Sequence, residues 1–143
     1  MLKLHKKVEY GLIALRHMRG KNAELLTTAK EISEIYQLPF DATSRVLQLL
    51  SSASWLVSEQ GAHGGYRLSD KQLQNLSLFE LIEIIEGKQG VVKCVMTNTN
   101  CPIKNKCNVV SPMQKLNESL QGFLQQQKVI DLFDSRNTMQ GVS

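Results

Sequence analysis

The chain has 143 residues, of which 42% are hydrophobic and 21% charged, and its formal net charge is +4. This composition is that of a globular domain with a modest core, and the small positive excess permits nucleic-acid binding without demonstrating it. The chain contains no run of about 18 uncharged apolar residues, and its first residues lack the apolar core of a signal peptide. We therefore expect a cytoplasmic protein rather than a membrane or secreted one.

The N-terminal part of the chain carries two helix patterns. One helix is predicted from about Lys6 to Met18, where apolar residues recur at helical spacing. The other follows Thr28, whose spacing to Glu31 is typical of a capping box. Pro39 ends this second helix, because the residue before a proline avoids helical backbone angles.

A third helix is predicted over residues 40–52. The residues expected to face the core from the second and third helices are Ile32, Ile35, Val46, Leu47, Leu49 and Leu50. Two helices joined by a tight turn are the arrangement with which helix-turn-helix proteins read DNA. Helical hairpins without that function share the same pattern, so this segment alone does not decide between them.

The next stretch predicts a β-hairpin. Residues 55–60 and 66–69 have the composition of strands, and the glycine-rich residues 61–65 join them. A hairpin directly after a helix-turn-helix is a wing, whose tip usually lies against the phosphate backbone or the minor groove. The predicted fold class is therefore mainly helical with a small β-hairpin wing, a winged helix-turn-helix extended by a long C-terminal helix.

Two further helices are predicted beyond the wing. Ser77 and Glu80 form another capping box that opens a helix over residues 78–86, which Gly87 ends. Ser111 and Pro112 then begin a long helix. Its apolar seam, spaced three and four residues apart, consists of Met113, Leu116, Leu120 and Phe123, and continues past Gln127 to Ile130.

The long helix has two interpretations, a strap across its own domain or a dimerisation helix. We favour the second, because a two-fold symmetric protein reads both halves of a symmetric DNA site. The predicted segments are a DNA-binding domain (1–73), a connecting helix with a cysteine segment (74–110), a dimerisation helix (111–134) and a disordered tail (135–143).

The three cysteines of the chain, Cys94, Cys101 and Cys107, fall within 14 residues of one another. An odd number in a reducing compartment argues against disulfides. Thiolates are the standard protein ligands of iron–sulfur clusters, and gaps of six and five residues suit a loop that wraps such a group. Zinc bound by three sulfurs and unligated thiols are the alternatives, although structural zinc sites favour closer cysteine pairs.

Taken in order, these motifs resemble the winged-helix regulators typified by IscR, NsrR and RirA, over about residues 1–134. The resemblance is carried by residues 9–12, 38–39, 61–68 and 78–87 and by the three-cysteine segment. It implies a homodimer that binds a palindromic operator in double-stranded DNA. It also implies an iron–sulfur cluster, 2Fe–2S or 4Fe–4S, through which the regulator senses iron–sulfur status, nitric oxide or redox state.

The resemblance also implies which residues contact DNA, at the start of the third helix and in the wing. The corresponding residues of this chain are Asp41, Thr43, Ser44, Arg45, Gln48, Gln60 and His63. This chain departs from its relatives at two of these places. A tyrosine–leucine pair is replaced by Ala42-Thr43, and a wing arginine by Gln60, so the operator sequence is not transferable.

The fourth cluster ligand is an open question in the sequence. In IscR-like relatives it is a histidine three residues beyond the last cysteine, a position that Val110 occupies here. Other relatives use an acidic side chain near the N-terminus of the partner subunit, which implies Glu9 of the partner subunit. An exposed carboxylate without that role is the alternative for Glu9, and His5 is a weaker candidate ligand.

Other classes of function have less support. The chain lacks a nucleophile elbow, and its glycine-rich segment lacks the pattern of a phosphate-binding loop, so we do not expect an enzyme. A cluster carrier would not need the wing. A winged-helix regulator that senses through free thiols or a partner protein, without a cluster, is the main alternative.

Overall fold

The computed structural model describes residues 5–71, 73–87 and 110–134. In chain order the helices and strands are α1 (Lys6–Arg19), α2 (Ala29–Tyr36), α3 (Phe40–Ser52), β1 (Leu56–Glu59), β2 (Gly65–Leu68), a short 3₁₀ helix (Leu73–Asn75), α4 (Leu78–Glu86), α5 (Val110–Gln126) and α6 (Val129–Asp134). A mainly helical fold with one antiparallel hairpin confirms the predicted fold class. No helix within these described ranges is long and apolar enough to cross a membrane.

The first three helices pack around one hydrophobic core. Leu15 of α1, Ile32 of α2, and Leu47 and Leu50 of α3 are fully buried. The Thr28 hydroxyl accepts a hydrogen bond from the backbone N–H of Glu31 (3.0 Å), as the capping motif predicts. The helix-turn-helix is therefore held by a shared core and a capped second helix.

Two details of the predicted core differ from the structure. Ile35 was expected in the core but is 56% exposed. Three residues turn a helix by about 300°, so a row spaced by three drifts around the axis and its last member leaves the buried face. Ala29 and Ile32 occupy that face instead. Leu49 is only partly buried.

The hairpin is a short antiparallel pair in which Leu56 lies opposite Leu68 and Glu59 opposite Gly65. Thr27, in the loop before α2, forms an isolated antiparallel β-bridge with Tyr66 of β2. The N–H of Thr27 donates to the Tyr66 carbonyl (2.7 Å), and the Tyr66 N–H donates to the Thr27 carbonyl (2.8 Å). The wing is thus attached to the segment that leads into α2.

The C-terminal helix differs from the prediction, because it starts at Val110 rather than after Ser111 and is broken after Gln126. The break occurs where the chain forms backbone hydrogen bonds with the segment before α4. The N–H of Leu78 donates to the Gln127 carbonyl (2.7 Å), and the N–H of Val129 donates to the Leu76 carbonyl (2.9 Å). These long-range bonds replace the continuation of the helix.

The two parts of this broken helix have different surroundings. Val129 and Phe133 of α6 are 0% and 7% exposed and belong to the same core as α1 to α3. On α5, which packs against α4, Leu116 and Phe123 are 45% and 58% exposed. The short α6 is therefore a strap on its own domain, whereas α5 presents an apolar face to solvent.

Candidate nucleic-acid interface

One face of α3 carries most of the residues expected to contact DNA. Asp41, Arg45 and Gln48 are exposed, and Ser44 is partly exposed. Residues three, four and seven positions apart lie on one side of a helix, so these four side chains form a single polar surface. The opposite side of α3 is buried against α1 and α2. The packing of α3 against α1 and α2 therefore holds this polar surface in a fixed orientation.

Thr43 does not belong to this surface, which corrects the sequence-based expectation. It is 1% exposed, and its hydroxyl donates a hydrogen bond to the Pro39 carbonyl four residues earlier (2.8 Å). Its spacing to Val46, Leu47 and Leu50 is that of a buried helical stripe, and this signal in the sequence identifies Thr43 as a core position. Its hydroxyl is satisfied by the backbone and is not available to a ligand.

The tip of the wing brings two further candidates to the surface, since Gln60 and His63 are both exposed. The turn is closed by a hydrogen bond from the Gly64 N–H to the Gly61 carbonyl (3.0 Å). A side chain at Gly64 would bring its Cβ within 2.3 Å of the Glu59 carbonyl oxygen, so only glycine fits there. The tight turn therefore depends on its glycine content.

The base of the wing is anchored to the end of α3. Trp55 is 6% exposed, and the ammonium of Lys71 lies 4.8 Å from the centre of a Trp55 ring. The same ammonium donates to the Ala53 carbonyl (3.1 Å), and the Ser69 N–H donates to the Trp55 carbonyl (3.1 Å). These contacts fix where the hairpin leaves the helical core.

A polar cluster between α1 and α2 was not anticipated from the sequence. The Glu31 carboxylate lies 2.8 Å from the Lys21 ammonium and 2.7 Å from Nε2 of His17. The capping motif places Glu31 near the start of α2, but the side chain turns to these partners. No spacing rule connects the three residues, because they come from two helices and a loop.

The charge of Glu31 is stabilised by this cluster. Partial burial alone would raise the pKa of the Glu31 carboxyl, but hydrogen bonds from Lys21 and His17 and the charge of those groups hold that pKa below its ordinary value. The cluster lines an open cleft between α1 and α2, so solvent protons reach it. Glu31 therefore remains ionised well into mildly acidic conditions.

Most of the residues predicted to bind a cluster lie outside this polar cluster and the DNA-binding face. Cys94, Cys101 and Cys107 fall outside the described residues, and the described ranges alone contain no group of three or more metal-ligating side chains. The Glu9 side chain, in the first turn of α1, is 45% exposed and lies 3.6 Å from the Lys6 ammonium. Nδ1 of His5 lies 3.9 Å from the Glu86 carboxylate, at the end of α4.

A helix-turn-helix followed by an antiparallel hairpin defines a winged helix-turn-helix protein, a class that places one helix in the major groove of DNA. A sequence profile of the Rrf2 family, described as iron-dependent transcriptional regulator, matches residues 4–135. The chain belongs to the Rrf2 family. It is a DNA-binding transcription regulator rather than an enzyme.

Several characterised proteins are similar to this chain. Protein rrf2 of Nitratidesulfovibrio vulgaris (strain Hildenborough) is 24% identical over 106 residues, covering 74% of this chain and 70% of that protein. The transcriptional regulator NsrR of Oceanobacillus iheyensis is 27% identical over 115 residues, covering 80% of this chain and 78% of that protein. NsrR of Shouchella clausii is 23% identical over 125 residues, covering 87% and 81%.

Solved structures share the fold. CymR, the global cysteine regulator of B. subtilis, has a TM-score of 0.67 and 24% identity, covering 94% of this chain and 98% of its own. IscR of T. potens has a TM-score of 0.64 and 20% identity, covering 94% and 88%. At these identities the likeness establishes the winged-helix architecture.

Proposed function

We propose that this protein is a homodimeric regulator that binds a palindromic operator through the polar face of α3 and the tip of the wing. The observation that carries the proposal is the exposed face of Asp41, Ser44, Arg45 and Gln48 on α3. Long polar side chains on such a face suit hydrogen bonding to base edges, and an arginine suits guanine or phosphate. The wing adds Gln60 and His63, both of which are exposed.

The exposed face of α5 supports the homodimer. Leu116 and Phe123 lie seven residues apart, hence on the same side of the helix, and together they leave a large apolar area in water. Removing such area from water contributes about 25 cal/mol per Å². A second copy of α5 is the partner we propose, because a two-fold symmetric interface uses the same surface of both copies and would cover both apolar faces at once.

A binding experiment tests the DNA part of the proposal. A duplex is selected from a random library with the purified protein, and its affinity is measured by fluorescence anisotropy. Arg45→Ala should weaken binding about tenfold or more, the cost of one good base contact. Arg16→Ala removes the same charge from an exposed position on α1 and serves as the matched control. An equal loss of affinity in both variants would show that the effect comes from net charge, and it would reject the proposed contact between α3 and DNA.

For the sensor, we propose an iron–sulfur cluster held by Cys94, Cys101 and Cys107, with Glu9 of the partner subunit as the fourth ligand. Three thiolates fit the usual ligand set of such clusters, and the family description names iron dependence. The bound cluster would supply iron that reacts with nitric oxide or oxygen. On α1, the half-exposed Glu9 carboxylate is accessible to a second chain.

A regulator without a cluster is the second candidate, sensing through free thiols or a protein partner. The observation that favours it is the fold likeness to CymR, a cysteine regulator that has also been solved in an oxidized form from Staphylococcus aureus. Lysines at positions 93, 104 and 106 flank the cysteines and would lower the pKa of the thiols. The same three cysteines would then react directly with an oxidant.

Metal analysis separates the two candidates. Protein purified without oxygen is assayed for iron, acid-labile sulfide and visible absorbance, and Cys101→Ala and Glu9→Gln are treated in parallel with the control Glu24→Gln. The cluster predicts brown protein with about two or four iron atoms per chain. It also predicts loss of iron in Cys101→Ala and a more labile cluster in Glu9→Gln. Colourless protein after reconstitution would reject the cluster in favour of the second candidate.

A further inference from the structure

The ammonium of Lys21 lies at the centre of the polar cluster between α1 and α2. It donates to the Leu26 carbonyl (2.9 Å), to the Thr27 hydroxyl (3.2 Å) and to both oxygens of Glu31 (2.9 and 2.8 Å). An ammonium has three hydrogen atoms to donate, and three residues of this chain accept them. Its side chain is 22% exposed. Lys21 therefore has no unused donor to offer to a DNA phosphate.

The segment that Lys21 holds is the one that carries the wing. Thr27 pairs with Tyr66 through two backbone hydrogen bonds of 2.7 and 2.8 Å. The adjacent Gly65 has a φ of +156°, and a Cβ there would lie 3.0 Å from the Thr27 carbonyl oxygen. The backbones of the loop and of β2 are thus in close contact at the end of β2 that follows the turn of the hairpin. A shift of Thr27 would move the start of β2.

The other end of the cluster is tied to α2. The His17 ring is hydrogen-bonded through Nε2 to the Glu31 carboxylate (2.7 Å) and through Nδ1 to the Tyr36 hydroxyl (2.9 Å). His17 therefore joins α1 to both ends of α2. Because Glu31 accepts from both His17 and Lys21, the position of the loop is coupled to that of the helix-turn-helix.

We infer that Lys21 is a positioning residue for DNA binding, one that sets the wing relative to α3 by fixing the Thr27–Tyr66 pairing. This inference rests on the proposed contact between the wing and DNA. Lys71 and Trp55 anchor the α3 side of the hairpin, whereas Lys21 anchors its other side. Loss of Lys21 releases one of two anchors, so the wing loses its fixed orientation while the recognition helix keeps its own.

The first test measures the wing without DNA. Amide hydrogen exchange is followed by NMR in Lys21→Met and in Lys30→Met, a control that removes one positive charge from an exposed position on α2. Lys21→Met should speed exchange at Thr27 and Tyr66 by tenfold or more and leave Leu50 of α3 unchanged. Unchanged exchange at the Thr27–Tyr66 pair would overturn the inference. Faster exchange throughout α3 would also do so, because it would indicate general destabilisation.

The second test is a pair of double-mutant cycles in DNA affinity. Lys21→Met alone should weaken binding about tenfold. Combined with Gln60→Ala and His63→Ala, the same change should cost less than about threefold, because the wing contact is already lost. Combined with Arg45→Ala it should still cost about tenfold. Full additivity with the wing variants would overturn the inference.

Two controls separate this inference from the proposed function and from a direct phosphate contact. If Gln60→Ala with His63→Ala binds as tightly as wild type, the proposed wing contact fails, and the inference fails with it. The salt dependence of affinity should keep its slope in Lys21→Met, since each lost phosphate contact lowers the slope by about 0.9. A reduced slope would make Lys21 a DNA contact. Lys21→Arg should recover most of the affinity, because it keeps the donors.

Discussion

Helices α3 and α5 differ in how far their apolar residues are covered by the rest of the chain. In α3 the stripe of Val46, Leu47 and Leu50 is covered by the same chain, and the outer face is polar. In α5 the outer face includes Leu116 and Phe123, which the same chain leaves exposed. The comparison teaches that the apolar side of α3 is covered within one chain, whereas α5 keeps an exposed apolar face, on which we propose that a second copy binds.

The largest effect should come from the strap. Phe133→Ala should lower the free energy of unfolding by about 3 kcal/mol, because it leaves a cavity in the shared core at a side chain that is 7% exposed. Its neighbour Leu132 is 38% exposed, and Leu132→Ala should cost less than about 1 kcal/mol. Denaturant unfolding at one protein concentration compares the two variants. Equal losses would contradict a core role for α6.

The next effect concerns α5. Phe123→Asp should raise the dimer dissociation constant by about 100-fold, equivalent to about 2.7 kcal/mol, because it places a charge in the proposed apolar interface. Gln125 is exposed on another side of the same helix, and Gln125→Asp provides the control. Sedimentation equilibrium measures both variants. A Phe123→Asp protein that remains as dimeric as the control would place the dimer contact elsewhere.

A smaller effect distinguishes the two sides of α3. Thr43→Val keeps the shape of a buried side chain and removes a single hydrogen bond to the Pro39 carbonyl. This substitution should lower the free energy of unfolding by about 1 kcal/mol and leave DNA affinity at the wild-type level. Ser44→Val, on the partly exposed neighbour, should weaken binding severalfold. Anisotropy titrations measure the DNA affinity of both variants. A loss of affinity in Thr43→Val alone would contradict the assignment of Thr43 to the buried side of α3 and of Ser44 to the DNA-binding side.

The smallest effect is a pH dependence at Glu31. The folded state holds the pKa of the Glu31 carboxyl below its ordinary value of 4.5, so the cluster stabilises the fold fully above that pH. This stabilisation disappears as the pH falls through the lowered pKa. The difference in unfolding free energy between wild type and Glu31→Gln should therefore be constant near neutral pH and shrink in acid. A difference that grows in acid would contradict the assigned direction, and Glu24→Gln is the exposed control.

The sequence was most informative where local signals mark both ends of an element. The predicted bounds of the third helix, 40–52, match α3, because Pro39 precedes it and an apolar stripe runs along it. The exposed positions Asp41, Arg45, Gln48, Gln60 and His63 were also anticipated. Their roles in DNA binding stay predictions.

Long-range pairing explains what the sequence did not predict. The break between α5 and α6 arises because residues 127–129 bond to residues 76–78, about 50 positions earlier. No local pattern in the sequence predicts that these two distant segments pair. The Lys21 cluster likewise joins side chains from α1, a loop and α2. The predictions for Cys94, Cys101 and Cys107 stay predictions, because these residues lie outside the described ranges.

The central claim is that two copies of the chain read a symmetric DNA site. Sedimentation velocity of the protein on its selected duplex, compared with a duplex in which one half-site is scrambled, tests it most directly. The account predicts two chains per intact duplex and a loss of affinity of at least tenfold when one half is scrambled. One chain per duplex, with equal affinity for both DNAs, would contradict it.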